Sequence, residues 1–198
     1  MGRIPFVGLT GGMGAGKSTA LAVLERLGAA TLSTDAVVHE LYATHAVREL
    51  IVARWGDEVA PAGTVDRAAI AARVFAEPDE RAWLEAELWP RVGARVGAWR
   101  EEVAAREPPP RAAVVETPLM FEAGMDAIYD ATIAVVADED VRAQRAAGRG
   151  HVASAERAAR QLSQDEKAQR ATFVVHNSAT LEELERQLSD VLGRLSSS

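Results

Sequence analysis

The sequence predicts an α/β protein in which helices flank a parallel sheet, and three observations predict it. A glycine-rich loop, Gly11 to Thr19, stands between a segment of strand character and a segment of helical periodicity. Short apolar runs recur along the chain as buried strands, a pattern typical of parallel sheets covered on both faces. Two acids, Asp35 and Glu116, fall at the ends of such runs, where open α/β sheets gather their ligands. With 198 residues, 48% of them hydrophobic, the chain is long enough for one domain with sub-lobes and a sizeable core.

The first predicted strand is Ile4 to Thr10, and the loop after it reads G-G-M-G-A-G-K-S-T. It matches the phosphate-binding pattern G-x-x-x-x-G-K-[ST] at Gly11, Gly16, Lys17 and Ser18. A chance match in a chain of this length is on the order of one per cent, because Gly is only ~7% of average usage. Glycines let backbone N–H groups turn inward, and the helix that follows adds its positive dipole end. Lys17 then supplies a point charge for β- and γ-phosphates, and Ser18 a hydroxyl for Mg²⁺. The bland alternative is a glycine-rich turn with a solvated lysine. The next helix is predicted over Ser18 to Leu27, where Leu21, Leu24 and Leu27 repeat at helical spacing.

Gly28 stands where a helix-ending left-handed residue belongs, and Ala30 to Ser33 reads as a second strand. Asp35 has two readings: a functional acid facing the glycine loop's crevice, or an N-cap for a helix Ala36 to Tyr42. From Asp35 to Arg106 the pattern is helical throughout, too long for an ordinary crossover, so it is assigned to an acceptor-binding lobe. Asp66 is predicted to cap a helix there, and Pro90 to kink or break one. Trp55, Trp83, Trp89 and Trp99 all fall in this stretch, where core packing is favoured over ligand stacking.

Glu107 to Pro110 reads as a linker, Ala112 to Val115 as a buried strand ending at Glu116, and Ala131 to Val136 as another. Asp138 to Asp140 suits a solvated helix start better than a metal site. Arg142, Arg145, Arg149, Arg157 and Arg160 form an arginine-dense helical segment holding Gly148 and Gly150. It reads either as a solvated face paired with Glu139, Glu156 and Asp165, or as a lid whose arginines close over a transferring phosphate. Phe173 to Val175 is the last predicted strand, before Asn177, and a helix from Leu181 to Leu195 leads to a frayed tail.

Composition narrows the function. A net charge of −7 argues against nucleic acid as the main partner, while small phosphates remain compatible because local fields capture them. The absence of cysteine rules out disulfides and thiolate metal sites and fits a reducing cytosol. The start lacks a secretory apolar region, and no run approaches the ~20 apolar residues of a membrane span. The expectation is a soluble, cytoplasmic protein with no membrane partner; the sequence sets no oligomeric state.

With these pieces placed, the chain resembles the dephospho-CoA kinases. The likeness runs through G-L-T-G-G-M-G-A-G-K-S-T from Gly8, T-D at Thr34 and Asp35, W-G-D-E-V from Trp55, V-D-R from Val65, and L-E near Leu84. It continues with P-L-M-F-E-A-G from Pro118, the spacing of Arg145, Arg149, Arg160 and Gln164, and V-V-H-N ending at Asn177. P-L-M-F-E is the specific part, since a generic P-loop kinase has no reason to carry it. The chain departs from the family pattern at Ser33, where an Asp is frequent, at Trp89, where His is common, at Glu116, usually Asp, and at Thr172, usually Asp.

The resemblance implies a three-layer P-loop NTPase fold with a five-stranded parallel sheet, a single kinase domain over 1–198, a helical acceptor-binding lobe at about 36–110 and a lid at about 138–170. It implies phosphorylation of the ribose 3′-hydroxyl of dephospho-CoA by ATP with Mg²⁺, the last step of coenzyme A synthesis. Asp35, Lys17, Arg145 and Arg149 are the implied catalytic residues. ATP would be held by Gly12, Met13, Gly14, Ala15, Gly16, Lys17, Ser18, Thr19 and Asn177, and Mg²⁺ by Ser18 and Glu116. The acceptor would meet Asp35, Arg67, Pro118, Leu119, Phe121 and Glu122. A nucleotide or sugar kinase would share the loop without Pro118 to Gly124, and a GTP switch would need an Asn-Lys guanine motif that the chain lacks.

Overall fold

The computed structural model describes residues 3–147 and 161–196. Strand β1 (Phe6–Gly11) leads through the glycine loop to α1 (Lys17–Arg26) and β2 (Ala30–Ser33). The helices α2 (Thr34–Ala43), α3 (His45–Trp55), α4 (Arg67–Ala76) and α5 (Pro78–Ala104) follow. Then come β3 (Ala113–Glu116), β4 (Ala131–Val136), α6 (Glu139–Ala147), α7 (Gln164–Arg170), β5 (Phe173–His176) and α8 (Leu181–Leu195). The five strands form one parallel sheet in the order β2-β3-β1-β4-β5. Because β3 returns between β1 and β2, the chain reverses direction across the sheet beside β1, and the glycine loop leaves from that switch point.

The chain divides into two compact units, residues 34–99 and the remainder. In the sheet unit every residue of β1 and β4 is buried, as central parallel strands require. Val7 and Leu9 of β1 meet Val23 and Leu24 of α1 and Leu184, Leu188 and Leu192 of α8 in one apolar core. With Ala20 and Val191, the buried residues of each helix recur at three and four positions, so each helix commits one stripe to the sheet. Truncating a fully buried leucine such as Leu188 to Ala would cost about 2–5 kcal/mol. α1 stops as its sequence predicts: the Gly28 N–H reaches the Glu25 carbonyl at 3.0 Å and the Ala29 N–H the Leu24 carbonyl at 2.9 Å, a Schellman ending with Gly28 at φ 91°. At the outer edge, the Gln187 side chain of α8 accepts from the His176 N–H at 2.9 Å and donates to the His176 carbonyl at 3.0 Å.

The helical unit has its own core of Val47, Ile51, Trp55, Val59, Ile70, Leu84 and Leu88. Trp55 and Trp83 meet edge to face at 5.1 Å, and the Trp55 ring N–H donates to Glu80 at 2.6 Å, so its polar end is satisfied inside. Asp66 caps α4, accepting from the Ala68 N–H at 2.8 Å and the Ala69 N–H at 3.2 Å. Two expectations are corrected and a third is narrowed. Trp89 is 53% exposed rather than packed in a core. Of the two readings of Pro90 the break is excluded, because α5 stays helical from Pro78 to Ala104; beside it the Arg91 guanidinium donates to the Glu87 carbonyl. Asp35 is not an N-cap, because α2 begins one residue earlier at Thr34 and places it in the first turn.

Candidate active site

The loop between β1 and α1 is shaped by two glycines that no other residue could replace without strain. Gly14 sits at φ 75°, and a Cβ there would lie 2.6 Å from the Arg142 carbonyl oxygen. Gly16 sits at φ 89°, pressed against the Asn177 amide. Gly16 is the N-cap of α1 and offers no side-chain cap, and the first turn of α1 carries no acid. By contrast α6, α7 and α8 each place acids in their first turns, and α7 and α8 also have side-chain caps. The orphan N–H groups of α1 are thus left to an external anion, the arrangement that binds phosphate.

Cations surround that anion position. The Lys17 ammonium lies 3.1 Å from the Gly11 carbonyl and 3.3 Å from the Gly12 carbonyl, at the loop's mouth. Arg142 donates to the Met13 carbonyl at 3.0 Å, and Arg145 to the Asn177 carbonyl at 3.0 Å. These two arginines, one turn apart on α6, are therefore turned onto the loop and its support. Arg149, Arg157 and Arg160 lie outside the described residues. Asn177 is buried, and its amide donates to the Ala15 carbonyl at 2.8 Å, bracing the loop from below. A cleft of about 320 Å³, bordered by Gly12, Met13, Arg142 and Ser163, opens beside it. That volume is in the range of small-ligand pockets.

Glu116 ends β3 in register with Leu9 of β1 and Ser33 of β2, and is 9% exposed. Ser18 and Thr19 are exposed on the first turn of α1. Among the described residues no three carboxylates or imidazoles cluster as a metal cage. A hydroxyl and a single carboxylate are hard oxygen donors, which suits Mg²⁺, since that ion takes one or two protein ligands and the rest from phosphates and water.

Pro118 to Glu122 follows β3 and is tied to the strand that feeds the loop: the Thr10 hydroxyl donates to the Pro118 carbonyl at 3.2 Å. Pro118 and Leu119 are half-buried. Phe121 is buried under the Arg170 guanidinium, 4.7 Å from its ring centre, so its place is beneath the segment rather than at its surface. One Glu122 oxygen accepts from the Leu162 N–H at 2.8 Å and pairs with the Lys167 ammonium at 2.9 Å. Sequence reasoning missed Lys167, since nothing in its local pattern sets it apart from the solvated charges around it. Burial pushes its ammonium below its usual range, and Glu122 opposes that shift.

In the helical unit, Arg67 opens α4 and approaches the His39 ring at 3.3 Å. His39 is four residues beyond Asp35 on α2, the spacing that puts two side chains on one helix face. Asp35 and Arg67, far apart in sequence, are thereby brought to one patch through a histidine that the i, i+4 spacing could have disclosed.

A model of the dephospho-CoA kinase family matches residues 5–183. The chain belongs to that family. A dephospho-CoA kinase of Deinococcus radiodurans is 42% identical over 193 residues, spanning 96% of this chain and 91% of that protein. The crystal structure of TT1252 from Thermus thermophilus superposes with a TM-score of 0.77 at 34% identity, covering 98% of this chain and 99% of that one. A dephospho-CoA kinase from Campylobacter jejuni, at 20% identity and a TM-score of 0.64, shares the fold over 98% of each chain. The protein is accordingly a kinase with the P-loop fold, and ATP is its co-substrate.

Proposed function

We propose that the protein transfers the γ-phosphoryl group of ATP to the ribose 3′-hydroxyl of dephospho-CoA, giving coenzyme A and ADP as the last step of coenzyme A synthesis. The observation that carries this reading is the convergence of two motifs. The uncapped phosphate loop and the P-L-M-F-E segment, over a hundred residues apart, are joined through Thr10 and Pro118 at 3.2 Å. A kinase for another small acceptor would have the first feature without the second.

In the transfer, the acceptor oxygen forms a bond to the γ-phosphorus as the bond from that phosphorus to the β–γ bridging oxygen breaks, and the hydroxyl proton passes to the Asp35 carboxylate. Gly12 to Thr19 hold the phosphates through backbone N–H groups, and Lys17 and Arg145 offset the charge that grows on the transferred group. Arg149 is assigned the same task by resemblance. Ser18 and Glu116 would hold Mg²⁺, which would supply positive charge to offset that of the phosphates when bound. Pro118, Leu119 and Glu122, with Asp35 and Arg67, are assigned to the acceptor, and Asn177 supports the nucleotide side. The reaction is assigned to the cytoplasm, in keeping with a cysteine-free chain whose described residues include no membrane-spanning helix.

ADP release measured with and without dephospho-CoA tests this. Product analysis should place the new phosphate on the 3′-oxygen. Asp35→Asn should lower kcat with dephospho-CoA by roughly 10²–10⁴, the range of general-base catalysis, with ATP affinity little changed. Near-normal turnover by a stable Asp35→Asn protein would take the proton-accepting role from Asp35.

A further inference from the structure

Lys167 is the largest fully buried side chain among the described residues, 0% exposed. A buried charge is retained only where its partners repay desolvation, and three groups receive this one. It donates to the Pro118 carbonyl at 2.6 Å and to the Thr10 hydroxyl at 3.5 Å, and it pairs with Glu122 at 2.9 Å. Thr10 immediately precedes the phosphate loop, whereas Pro118 and Glu122 are the two ends of the P-L-M-F-E segment. One cation thus pins both ends of that segment to the strand that delivers the loop. Glu122 adds a further tie through the Leu162 N–H, and its second oxygen is buried with no hydrogen-bond partner among the described residues. That carboxylate therefore depends on Lys167 for most of its compensation.

We infer that Lys167 is a positioning residue for the acceptor: through Glu122 and the Pro118 carbonyl it fixes the P-L-M-F-E segment at the distance from the phosphate loop that transfer requires. This rests on the proposed function. Lys167 itself touches no reacting atom. Its removal should act on the acceptor and spare the nucleotide, whose loop is held separately by Asn177 and Arg142.

The experiment is initial-rate kinetics on the full chain, varying ATP and dephospho-CoA in turn, for the wild type, Lys167→Met, and Lys167→Met with Glu122→Gln. Lys167→Met should raise KM for dephospho-CoA about tenfold or more, the effect of losing a charge-assisted contact, while KM for ATP stays within about twofold. The double variant leaves no buried charge unpaired, so its melting temperature should recover while the acceptor KM does not. If Lys167→Met does not fold, the double variant carries the KM test alone. Wild-type acceptor KM in the folded variants, or equal losses for both substrates, would overturn the inference. A wild type that releases no ADP with dephospho-CoA would overturn the proposed function, and this inference with it.

Discussion

Lys17 rests on the carbonyls of Gly11 and Gly12, at the loop that leads into the uncapped N-terminus of α1. Lys17→Ala should therefore abolish nearly all kinase activity while leaving circular dichroism and melting temperature close to wild type, because the side chain supports phosphate rather than a core. Normal turnover by this variant would sink the phosphate-loop reading. Arg145 makes its contact on the Asn177 carbonyl beside Gly16, so Arg145→Ala should lower kcat more than it weakens ATP binding, by ~10³ if it acts as a charge-stabilising arginine. Equal small losses in kcat and ATP affinity would return it to a packing role. At this scale legibility was uneven. Lys17, Asp66 and Gly28 announce themselves, since local backbone chemistry dictates their type. Lys167 does not, because its partners lie far off in sequence.

Among the elements, α3 and α5 are coupled by a group that titrates. Glu80 accepts from Arg54 at 2.6 Å and 2.9 Å and from the Trp55 ring N–H at 2.6 Å. The Arg54 and Trp55 hydrogen bonds lower its pKa from 4.5 to about 2. A carboxyl held below its unfolded value stabilises the fold above that value, and the contribution is lost as pH falls through the folded one. The melting temperature of wild type should accordingly exceed that of Glu80→Gln above about pH 4.5, and the gap should close as the pH approaches about 2. A gap that persists unchanged to pH 2 would show that shape, not charge, makes the difference. The sequence disclosed the helices on which this pair sits through their apolar spacing. The continuity of α5 through Pro90 was not readable, because a proline alone does not tell a kinked helix from a broken one.

For the whole molecule, the strands, their parallel arrangement and the long helical stretch were legible because buried strands are apolar on both faces and the helices keep their period. The order β2-β3-β1-β4-β5 was not, since pairing partners are selected by packing across the sheet rather than by neighbours in sequence. The helical unit spans 34–99, where the sequence suggested about 36–110, because the last turn of α5 leaves its apolar period intact while joining the sheet unit: the Arg100 guanidinium stacks 4.4 Å from the Phe6 ring centre.

The clasp between Gln187 and His176 bears on how copies of the chain behave together. β5 ends the sheet, with Val174 38% exposed, and an open strand border of that kind can recruit a strand from another molecule. Gln187 occupies the outward N–H and carbonyl of His176 at once, so an incoming strand would have to displace a bidentate contact before its first bond could form. Gln187→Ala should therefore leave activity unchanged, yet make heated solutions scatter light sooner and at lower protein concentration than wild type. Identical scattering curves would show that the −7 net charge alone keeps the molecules apart. A single amide at the border of the sheet would then govern the colloidal life of the enzyme and not its chemistry.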